Sequence, residues 1–520
     1  MLKYALALRT IKHLVVDRAF VRPIGDGHAA EAALDLIMET VSVLDYDCDY
    51  LPGAELTQVC NDSRRAVHNS LFVAIKGSSI NGEDFVPQAL QNGAVIIISE
   101  NLLEDKLLPG TVNLVVKNAY WAYALLCEAF YDFPTSGMKA IALTGTNGKT
   151  TSVMLLRKLL KAAQKSCGLI STIEYDDGEA VIPADRTTPE ALRLFELFDK
   201  MRSNNVQNLV MEVSSHALHQ KRIGNVKYAA AIFTNLTGEH LDYHKTMEEY
   251  YQAKKRLFTD HIAGDGIAVI NSDDAYGKRL AEELQDVKLI TFGQHSGSWR
   301  ISNVITAPGS STFTLQAGEL EQTFTISLSG LYNIYNTAGV VLALHFAGLL
   351  PLNESAEMLK NHHFSVPGRM ESFQLANGAT AVVDYAHTPD ALKNILTALR
   401  ELEPSLLTAV FGCGGDRDRS KRPQMGQIAA QFANKVYITS DNPRSEEPSK
   451  IIAEICSGIP ENCRNVCIEP DRRTAILQAL KNALPGSIVL IAGKGHEDYQ
   501  EIKGVKQHFD DREVVRDFLN

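Results

Sequence analysis

The sequence contains few cysteines, few tryptophans and no long apolar run. Eight cysteines and two tryptophans occur among 520 residues. The densest cysteine group, Cys456, Cys463 and Cys467, lacks the CxxC pairs of zinc sites. The apolar stretch 339–350 is shorter than the roughly 18 residues that suggest a membrane-spanning helix, and it is broken by His345. We therefore expect a reduced, cytoplasmic protein with no signal peptide and no membrane partner.

The chain also lacks an excess of basic residues. It has 51 Lys and Arg against 62 Asp and Glu, which gives a net charge of −11. An acidic chain is poorly suited to nonspecific attraction to nucleic acid or anionic lipid, so we expect no nucleic-acid partner. Any anionic ligand must therefore meet a locally basic site.

A chain of 520 residues is longer than one hydrophobic core usually serves. Apolar runs of about four to eight residues alternate with helix-like patterns, which predicts α/β domains with mainly parallel sheets. A first series of strands is predicted at 139–145, 208–215, 228–235, 266–273 and 287–293. A second series follows Pro367 and Gly368, at 380–390, 407–417, 435–444 and 487–497. These runs end in polar groups, and ligands gather at the carboxyl ends of parallel strands.

The motif TGTNGKTT at 144–151 lies between a predicted strand and a predicted helix. Its glycines allow backbone N–H groups to close around phosphate oxygens, Lys149 supplies positive charge, and the Thr150 hydroxyl can bind Mg²⁺. Leu143 stands where the general P-loop pattern has a glycine, so this is a shortened form. The motif predicts ATP binding by Gly145, Thr146, Asn147, Gly148, Lys149, Thr150 and Thr151.

Other residues near strand ends suit the same chemistry. Glu212 ends a predicted strand, where a carboxylate can bind Mg²⁺. His216 and His240 also follow strands, and their occurrence together with a P-loop and Glu212 favours a role in the site. From chemistry alone, Lys254 is predicted to be a solvated helix lysine. In TTPE, Thr188 is predicted to cap a helix, which leaves contact with a ligand open.

Three loops of the second strand series are rich in glycine and charge. Residues 412–423 combine three glycines with four basic residues. DNPR at 441–444 adds Arg444, whose planar guanidinium suits a carboxylate or a phosphate. GKGHEDYQ at 493–500 adds Glu497, which can hold an ammonium group. Each loop alone is equally compatible with a structural turn, but all of them end strands of one predicted sheet.

In their order along the chain, these motifs closely resemble those of the Mur ligase family, the ATP-dependent amino-acid ligases of peptidoglycan precursor synthesis. The resemblance covers nearly the whole chain beyond about the first 50 residues. The matching motifs are DSR, TGTNGKTT, TTPE, EVSSHAL, FTNLTGEHLDYH, AKKRLF, LSGLYNIYN, VPGRME, DYAHTPDAL, GCGGDRDR, DNPR and GKGHE, and they end with HEDYQ at 496–500. One departure is TGEH, where Gly238 and Glu239 replace the Arg-Asp of many relatives.

The resemblance implies three α/β domains. These are a small UDP-binding domain at 46–135, a central P-loop ATPase domain with a mainly parallel sheet at 136–365, and a C-terminal Rossmann-like domain for the amino acid at 366–520. Residues 1–45 are left as a leader of unknown role. For this leader, a helix over 28–41, a disordered tail and a start codon assigned too early all stay open.

Within the family, the chain resembles the type that adds the third residue to UDP-N-acetylmuramoyl-L-alanyl-D-glutamate. The implied catalytic residues are Lys149, Glu212, His216, His240 and Lys254. The implied Mg²⁺ ligands are Thr150, Glu212, His240 and Lys254, the last as an N-carbamylated lysine that carries a carboxylate. Further ATP contacts are implied for Asn271, Asn333, Asn336, Arg369, Asp384, Tyr385 and His387. Contacts with the UDP-linked substrate are implied for Ser63, Arg64, Thr187, Thr188, Ser214 and Arg222.

The resemblance also implies an amino-acid site. Its residues are Arg417, Asp441, Asn442, Pro443, Arg444, Gly493 and Glu497. Arg444 can pair with the distal carboxylate of meso-diaminopimelate, and Glu497 can accept its distal ammonium. L-Lysine lacks that carboxylate and would leave the arginine unpaired, which discriminates strongly. The expected amino acid is therefore meso-diaminopimelate, with L-lysine or another diamino acid as the alternative.

The implied reaction is ATP-dependent ligation through an acyl phosphate, carried out by a monomer and serving wall synthesis, cell shape and cell division. The alternatives are another Mur step, a folylpolyglutamate synthetase, and a nucleotide-dependent module that binds without ligating. The DSR, DNPR and GKGHE motifs argue against the first two. Release of ADP that requires both cosubstrates would exclude the third.

Overall fold

The computed structural model describes residues 16–21, 57–77, 80–108, 111–307, 309–461 and 463–519. The chain divides into two compact units. Of the described residues, the first contains those within 1–140, 174–209 and 213–227, and the second contains those within 141–173, 210–212 and 228–520. The helix predicted at 28–41 lies outside the described residues.

The first unit contains a five-stranded sheet. Its strands are β1 (Val16–Val21), β2 (Gln58–Cys60), β3 (Ser70–Val73), β4 (Ala94–Ser99) and β5 (Val112–Val116), in the order β1-β5-β4-β3-β2. Strands β2 to β5 are parallel, as predicted for an α/β domain, whereas β1 pairs antiparallel with β5. The predicted leader therefore contributes a strand to this sheet, although its sequence carries no motif that indicates one.

Short helices and a hairpin complete the described part of the first unit. The 3₁₀ helices are Ser63–Arg65, Gly82–Phe85 and Glu104–Lys106. The α-helices are Val86–Gln91, Ala119–Phe130, Ala191–Ser203 and Ser215–His219, and the hairpin strands are β8 (Glu174–Asp176) and β9 (Val181–Pro183).

Nine strands of one sheet lie wholly or mostly in the second unit. They are β6 (Lys139–Thr144), β7 (Cys167–Ile170), β10 (Asn208–Glu212), β11 (Tyr228–Phe233), β12 (Ile262–Asn271), β13 (Lys288–Gly293), β14 (Trp299–Ala307), β15 (Ser310–Ala317) and β16 (Leu320–Ile326). Their order is β16-β15-β14-β13-β12-β11-β6-β10-β7. Strands β6, β11, β12 and β13 are parallel, but β14, β15 and β16 form an antiparallel extension. The helices of this region are Lys149–Ala162, Leu241–His244, Met247–Asp260, Ala275–Glu283, Leu331–Phe346 and Leu352–Asn361.

A second sheet of this unit carries the other predicted strand series. Its strands are β17 (Glu371–Gln374), β18 (Thr380–Asp384), β19 (Leu407–Phe411), β20 (Lys435–Ile438), β21 (Val466–Ile468) and β22 (Ile488–Ala492), in the order β17-β18-β22-β19-β20-β21. All neighbours except β17 and β18 are parallel. A hairpin of β23 (Tyr499–Ile502) and β24 (Val505–His508) follows. The helices are Pro389–Arg400, Lys421–Phe432, Pro448–Cys456, Arg472–Lys481 and Asp511–Leu519.

The helix Lys149–Ala162 shows how the sequence pattern positions the phosphate loop. Val153, Leu156, Leu159 and Leu160 recur at helical spacing, and all four side chains are fully buried. Burial of each side chain contributes about 1.5–3 kcal/mol. The helix begins directly after the loop, so this packing fixes the helix N-terminus at the carboxyl end of β6.

Among the described helices, none is long and apolar enough to cross a membrane.

The core of the first unit contains a buried acid, Glu128, on the helix Ala119–Phe130. It is 4% exposed, and its Oε2 accepts a hydrogen bond of 2.9 Å from the backbone N–H of Asn225. Burial raises the pKa of Glu128 from 4.5 to about 7. The folded protein therefore keeps a proton that the unfolded chain loses between these values, and the free energy of unfolding falls as the pH rises through this window.

We expect Glu128→Gln to remove this pH dependence, because the amide keeps the acceptor and has no proton to lose. The free energy of unfolding of Glu128→Gln should exceed that of the wild type by an amount that grows to roughly 3 kcal/mol between pH 5 and 8. Urea unfolding followed by the fluorescence of Trp121, in a Trp299→Phe background, reports on the same helix. The exposed Glu179→Gln variant is the control. Equal pH profiles for Glu128→Gln and the wild type would contradict the prediction.

Candidate active site

The phosphate loop connects β6 to the helix Lys149–Ala162. Gly145 and Gly148 have φ angles of +148° and +88°, which favour glycine. A Cβ atom at Gly145 would lie 1.9 Å from Thr234 Oγ1, and one at Gly148 would lie 2.2 Å from Asn336 Oδ1. The loop is therefore enclosed by its neighbours and admits only glycine at these two positions.

Polar groups at the end of β11 hold the loop in place. The Thr234 hydroxyl donates to the Asn147 carbonyl at 2.7 Å, and the Asn147 N–H donates to Asn235 Oδ1 at 2.9 Å. Thr146 Oγ1 lies 3.3 Å from the hydroxyl of Tyr250. These bonds leave the loop preorganised, as an anion cradle requires.

Lys149 folds back over this loop. Its Nζ donates to the carbonyl oxygens of Gly145 at 2.8 Å and Thr146 at 2.9 Å. Burial lowers the pKa of Lys149, while the nearby carboxylates of Glu212 and Glu239 oppose the effect. The predicted ATP residues Thr150 and Thr151 follow in the first helical turn and are buried.

Glu212 ends β10, the strand next to β6, and is fully buried. Its Oε2 accepts hydrogen bonds of 3.1 Å from the hydroxyls of Thr150 and Thr172, and its Oε1 accepts one of 2.9 Å from the Thr172 N–H. Arg369 Nη2 donates to Thr150 Oγ1 at 3.3 Å. Thr172, which the sequence analysis missed, fixes the carboxylate beside the phosphate loop.

Lys254 is buried, not solvated as its chemistry alone predicted. It is 1% exposed, and its Nζ donates to the Gly145 carbonyl at 2.7 Å and lies 4.7 Å from the ring centroid of Tyr250. Burial and the neighbouring Lys149 ammonium hold the pKa of Lys254 well below its usual range. The helix Met247–Asp260 turns this residue towards the phosphate loop because its apolar face includes it. The amine therefore tends towards the neutral, nucleophilic form.

His240 and its neighbour Glu239 follow β11. His240 adopts φ +58° and its Nε2 lies 3.7 Å from Glu239 Oε2. Glu239 Oε1 also lies 3.3 Å from Nε2 of His387, whose Nδ1 donates to the Tyr385 carbonyl at 2.8 Å. Burial opposes ionisation of Glu239, but the hydrogen bond from His387 and the charge of His240 outweigh it and lower the pKa of Glu239. Glu239 thus connects the phosphate-loop region to residues after β18.

The residues predicted near the nucleotide from the C-terminal part lie together. The guanidinium of Arg369 lies 4.2 Å from the ring centroid of Tyr385. Asp384 accepts hydrogen bonds of 2.8 Å from the backbone N–H groups of Met370 and Ala386. Burial raises the pKa of Asp384, whereas Arg369 and these hydrogen bonds lower it.

Three asparagines border the loop from other elements. Asn333 and Asn336 lie one turn apart on the helix Leu331–Phe346, with 3.4 Å between Asn336 Nδ2 and Asn333 Oδ1. Asn271 ends β12, and its Nδ2 donates to the Thr234 carbonyl at 2.8 Å. Their amides are anchored to the elements that enclose the phosphate loop.

The donors near Glu212 suit a hard cation. Thr150 and Glu212 present oxygen atoms 3.1 Å apart, and oxygen is the donor that Mg²⁺ prefers. Lys254 has an amine, which becomes an oxygen ligand only after carbamylation. The described residues contain no group of three or more His, Cys, Asp or Glu side chains that could hold a metal. The hydroxyl oxygen of Thr150 and the carboxylate of Glu212 are the donors here that fit a hard cation.

The first unit brings together part of the predicted UDP-substrate set. Thr188 Oγ1 accepts a hydrogen bond of 3.1 Å from the Ser214 N–H, and its carbonyl accepts one of 3.0 Å from Arg222 Nη1. Arg222 also pairs with Glu190 at 2.9 Å. The predicted cap at Thr188 is wrong: the helix begins at Ala191 with Glu190 at the N-cap, because the Thr188 hydroxyl is used by Ser214.

The remaining residues predicted to be near this substrate lie around this cluster or form a separate group. Thr187 precedes Thr188 and is half-buried. His216, which was predicted to be catalytic and not a substrate contact, is half-buried on the helix Ser215–His219, next to Ser214. Ser63 and Arg64 form the separate group on the 3₁₀ helix Ser63–Arg65. The Ser63 hydroxyl donates to Gln88 Oε1 at 2.6 Å, and the exposed Arg64 pairs with Asp62 at 2.7 Å.

The predicted amino-acid residues meet at the carboxyl ends of β19, β20 and β22. Arg444 has φ +51°, and its Nη1 donates to the Gly415 carbonyl at 2.7 Å. A Cβ atom at Gly414 would lie 2.9 Å from Arg444 Nη1 and 3.9 Å from Arg417 Cγ, so the two arginines flank this glycine. Arg417 itself is exposed.

The same group also contains the carboxylates of Asp441 and Glu497 and the amide of Asn442. Asn442 Nδ2 donates to Glu497 Oε2 at 2.8 Å. Gly493 has φ +117°, and a Cβ atom there would lie 2.6 Å from Asp441 Oδ2. Pro443 lies between Asn442 and the arginine. Basic and acidic side chains therefore border one set of loops, as a zwitterionic ligand requires.

Comparison with known proteins identifies the family. The model described as Mur ligase family, catalytic domain matches residues 55–124, the Mur ligase middle domain matches 143–344, and the Mur ligase, glutamate ligase domain matches 368–495. A protein of Caldanaerobacter subterraneus subsp. tengcongensis, named UDP-N-acetylmuramoyl-L-alanyl-D-glutamate--2,6-diaminopimelate ligase, is 40% identical over 470 residues, which are 90% of this chain and 95% of the relative. The chain belongs to the Mur ligase family.

Other Mur ligases agree in sequence and fold. A Gloeobacter violaceus protein of the same name is 42% identical over 477 residues, 91% of this chain and 96% of the relative. A solved ligase of that name has a TM-score of 0.65 at 33% identity and covers 92% of this chain and 98% of its own. MurF from Acinetobacter baumannii, at 18% identity and a TM-score of 0.61 over 91% of this chain and 95% of its own, shares the fold.

These findings confirm the predicted α/β fold with three Mur ligase domains and the predicted enzyme class, an ATP-dependent ligase. The matched ranges lie within the predicted domains 46–135, 136–365 and 366–520, whose boundaries remain predictions. The roles of the individual site residues also remain predictions.

Proposed function

We propose that this Mur ligase adds meso-diaminopimelate to UDP-N-acetylmuramoyl-L-alanyl-D-glutamate, with ATP as the cosubstrate, in cytoplasmic synthesis of peptidoglycan precursors. The main support is the name shared by relatives that are about 40% identical over nine-tenths of this chain. The loops around Arg444 and Glu497 add independent support, since they pair a cation with an anion where an amino acid with two charged ends would bind.

In the proposed complex, the phosphate loop binds ATP. Its amides and Lys149 neutralise the phosphates, while Asn271, Asn333 and Asn336 border the nucleotide. Thr150, Glu212, His240 and carbamylated Lys254 would hold Mg²⁺, which when bound supplies positive charge to the phosphate oxygens. Arg369, Asp384, Tyr385 and His387 approach from the C-terminal part.

The proposed reaction has two steps. The γ-carboxylate of the D-glutamyl residue attacks the γ-phosphorus of ATP, the bond to the β-phosphate oxygen breaks, and ADP leaves. The free amine of diaminopimelate then attacks the acyl carbon. The acyl C–O bond breaks, phosphate leaves, and the amine loses a proton. Because the first step brings two anions together, charge neutralisation by Lys149 and the loop amides is the main contribution of the chain.

The other ligands are assigned by their chemistry. Ser63 and Arg64 would contact the uridine diphosphate. The cluster of Thr188, Ser214 and Arg222, together with Thr187, would bind the sugar-peptide part. His216 would keep its predicted catalytic role. Arg417, the DNPR loop 441–444, Gly493 and Glu497 would bind diaminopimelate. The protein would act as a monomer with these small molecules and without nucleic acid.

A coupled assay of ADP release tests this function. ADP should form only when the UDP-linked dipeptide and diaminopimelate are both present, and the ligated tripeptide should appear in equal amount by mass spectrometry. Parallel reactions with L-lysine and with no amino acid serve as controls. Faster turnover with L-lysine would assign the alternative amino acid. ADP release that ignores both cosubstrates would support a binding module that hydrolyses ATP.

We expect Arg444→Asn to lower kcat/KM for diaminopimelate by about 100-fold, because the distal carboxylate loses its charged partner. L-Lysine lacks this carboxylate, so its much lower kcat/KM should change little. Steady-state kinetics with both amino acids measure the ratio. The exposed Arg473→Asn variant is the control. Equal losses with both amino acids would contradict the assigned contact.

A further inference from the structure

A fully buried lysine, Lys494, lies in the loop 493–500, which also carries Gly493 and Glu497 of the proposed amino-acid site. It follows β22 in the turn towards β23, and its side chain is 0% exposed. Its Nζ lies 3.1 Å from Asn442 Oδ1 and 3.3 Å from Glu497 Oε2. The ring centroid of Tyr499 lies 5.4 Å away. A buried ammonium is costly unless it is paired, so these contacts account for its place in the core.

The contacts described for this ammonium are with protein groups. Its Nζ is within hydrogen-bond distance of Asn442 and Glu497, and the Tyr499 ring lies nearby, an arrangement that suits a cation. With no exposed surface, Lys494 has no position from which to contact an incoming amino acid. Any effect of Lys494 on the substrate must therefore pass through its partners.

Asn442 connects Lys494 through hydrogen bonds to Glu497 and, by way of Glu501, to the backbone of Arg444. Its Oδ1 accepts from Lys494 and from the Glu501 N–H at 3.0 Å, and its Nδ2 donates to Glu497 at 2.8 Å. Two donors at Oδ1 fix which way the amide points. The Arg444 N–H in turn donates to the Glu501 carbonyl at 3.0 Å. One network therefore links the Glu497 side chain to the backbone of Arg444.

We infer that Lys494 is a positioning residue that holds Glu497 and the Asn442 amide in the geometry that receives the distal ammonium of the amino acid. This inference rests on the proposed function and adds a residue outside the predicted ligand set. The positive charge of Lys494 orients the Glu497 carboxylate from a buried position, without competing for the substrate. Without Lys494, Glu497 loses the partner that fixes one of its oxygens.

The test is a double-mutant cycle on the full-length enzyme with saturating ATP and UDP-linked dipeptide. We expect Lys494→Met to raise the KM for diaminopimelate by about 10- to 100-fold, with a smaller change in kcat. In a Glu497→Gln background, the same substitution should change this KM by less than about 3-fold, because the carboxylate that Lys494 positions is gone. The KM values for ATP and the UDP-linked dipeptide should stay unchanged.

Two further variants keep the test decisive. Lys481→Met, on the exposed end of the helix Arg472–Lys481, makes the same chemical change away from the site and should behave as the wild type. Lys494→Gln keeps hydrogen-bond donors without the charge and replaces Lys494→Met if that variant does not fold, as judged by circular dichroism and thermal melting.

The outcomes separate this inference from the proposed function. Equal factors in both backgrounds, parallel rises in all three KM values, or unchanged kinetics would each overturn the positioning role. A wild-type enzyme that does not ligate diaminopimelate would contradict the proposed function itself, and the inference with it.

Discussion

Lys149→Ala is expected to lower kcat by about 10³-fold or more, the size of effect seen when a preorganised charge is removed from a reacting site. The Lys149 ammonium is held over the phosphate loop by the carbonyls of Gly145 and Thr146. In the proposed first step, a carboxylate approaches a triphosphate, and this positive charge offsets their repulsion. Alanine leaves the loop glycines intact, so nucleotide contacts by the loop amides should partly persist.

The same variant should bind the UDP-linked dipeptide with nearly unchanged affinity, because the residues proposed for that substrate belong to the first unit and Lys149 belongs to the second. Isothermal titration measures this affinity, and ADP release measures turnover. Lys161→Ala, at the exposed end of the same helix, is the matched control. Near-normal turnover of Lys149→Ala would contradict the proposed mechanism.

The sequence allowed much of the site to be placed before the fold was known. The phosphate loop and Glu212 were predicted at the ends of separate strands, and these strands, β6 and β10, are neighbours in the sheet. The rule that ligands gather at the carboxyl ends of parallel strands therefore placed Thr150 near Glu212. The same rule, applied to the second strand series, predicted that the loops carrying Arg444 and Glu497 lie together.

Lys254 shows where the chemistry of one residue misled the prediction. A helix lysine is usually solvated, but Tyr250, Lys254 and Phe258 recur at four-residue spacing, and all three are buried. A lysine between two aromatic residues on an apolar helix face is the local signal that would have identified it. Only the resemblance to the Mur ligases pointed to its role.

Local sequence patterns do not predict contacts between residues that are distant in the sequence. Glu239 and His387 are separated by more than one hundred positions, and Lys494 meets Asn442 from a different strand end. Strand pairing decides these contacts, and neither motif spacing nor periodicity specifies it. Likewise, β1 pairs with β5 although the leader shows no motif.

Lys254→Ala should be inactive, with kcat reduced by about 10³-fold, for a reason that differs from the loss of Lys149. The low pKa and burial of Lys254 make its amine available for reaction with CO₂, which forms an N–C bond, releases a proton and leaves a carbamate. That carbamate would provide an oxygen ligand near Thr150 and Glu212. Because alanine leaves a space in the same position, a short carboxylic acid such as acetate or propionate should partly restore turnover.

The neighbouring lysine provides the control for this effect. Lys255 pairs with Glu283 at 2.9 Å on the outer side of the same helix, so Lys255→Ala should keep its activity and show no response to added acid. Restoration should saturate with acid concentration and should be absent in Lys149→Ala, where no oxygen ligand is missing. Wild-type activity of Lys254→Ala without added acid would limit this lysine to its hydrogen bond with the Gly145 carbonyl. Inactivity without any rescue, in a folded variant, would assign the amine itself, and not its carbamate, to the reaction.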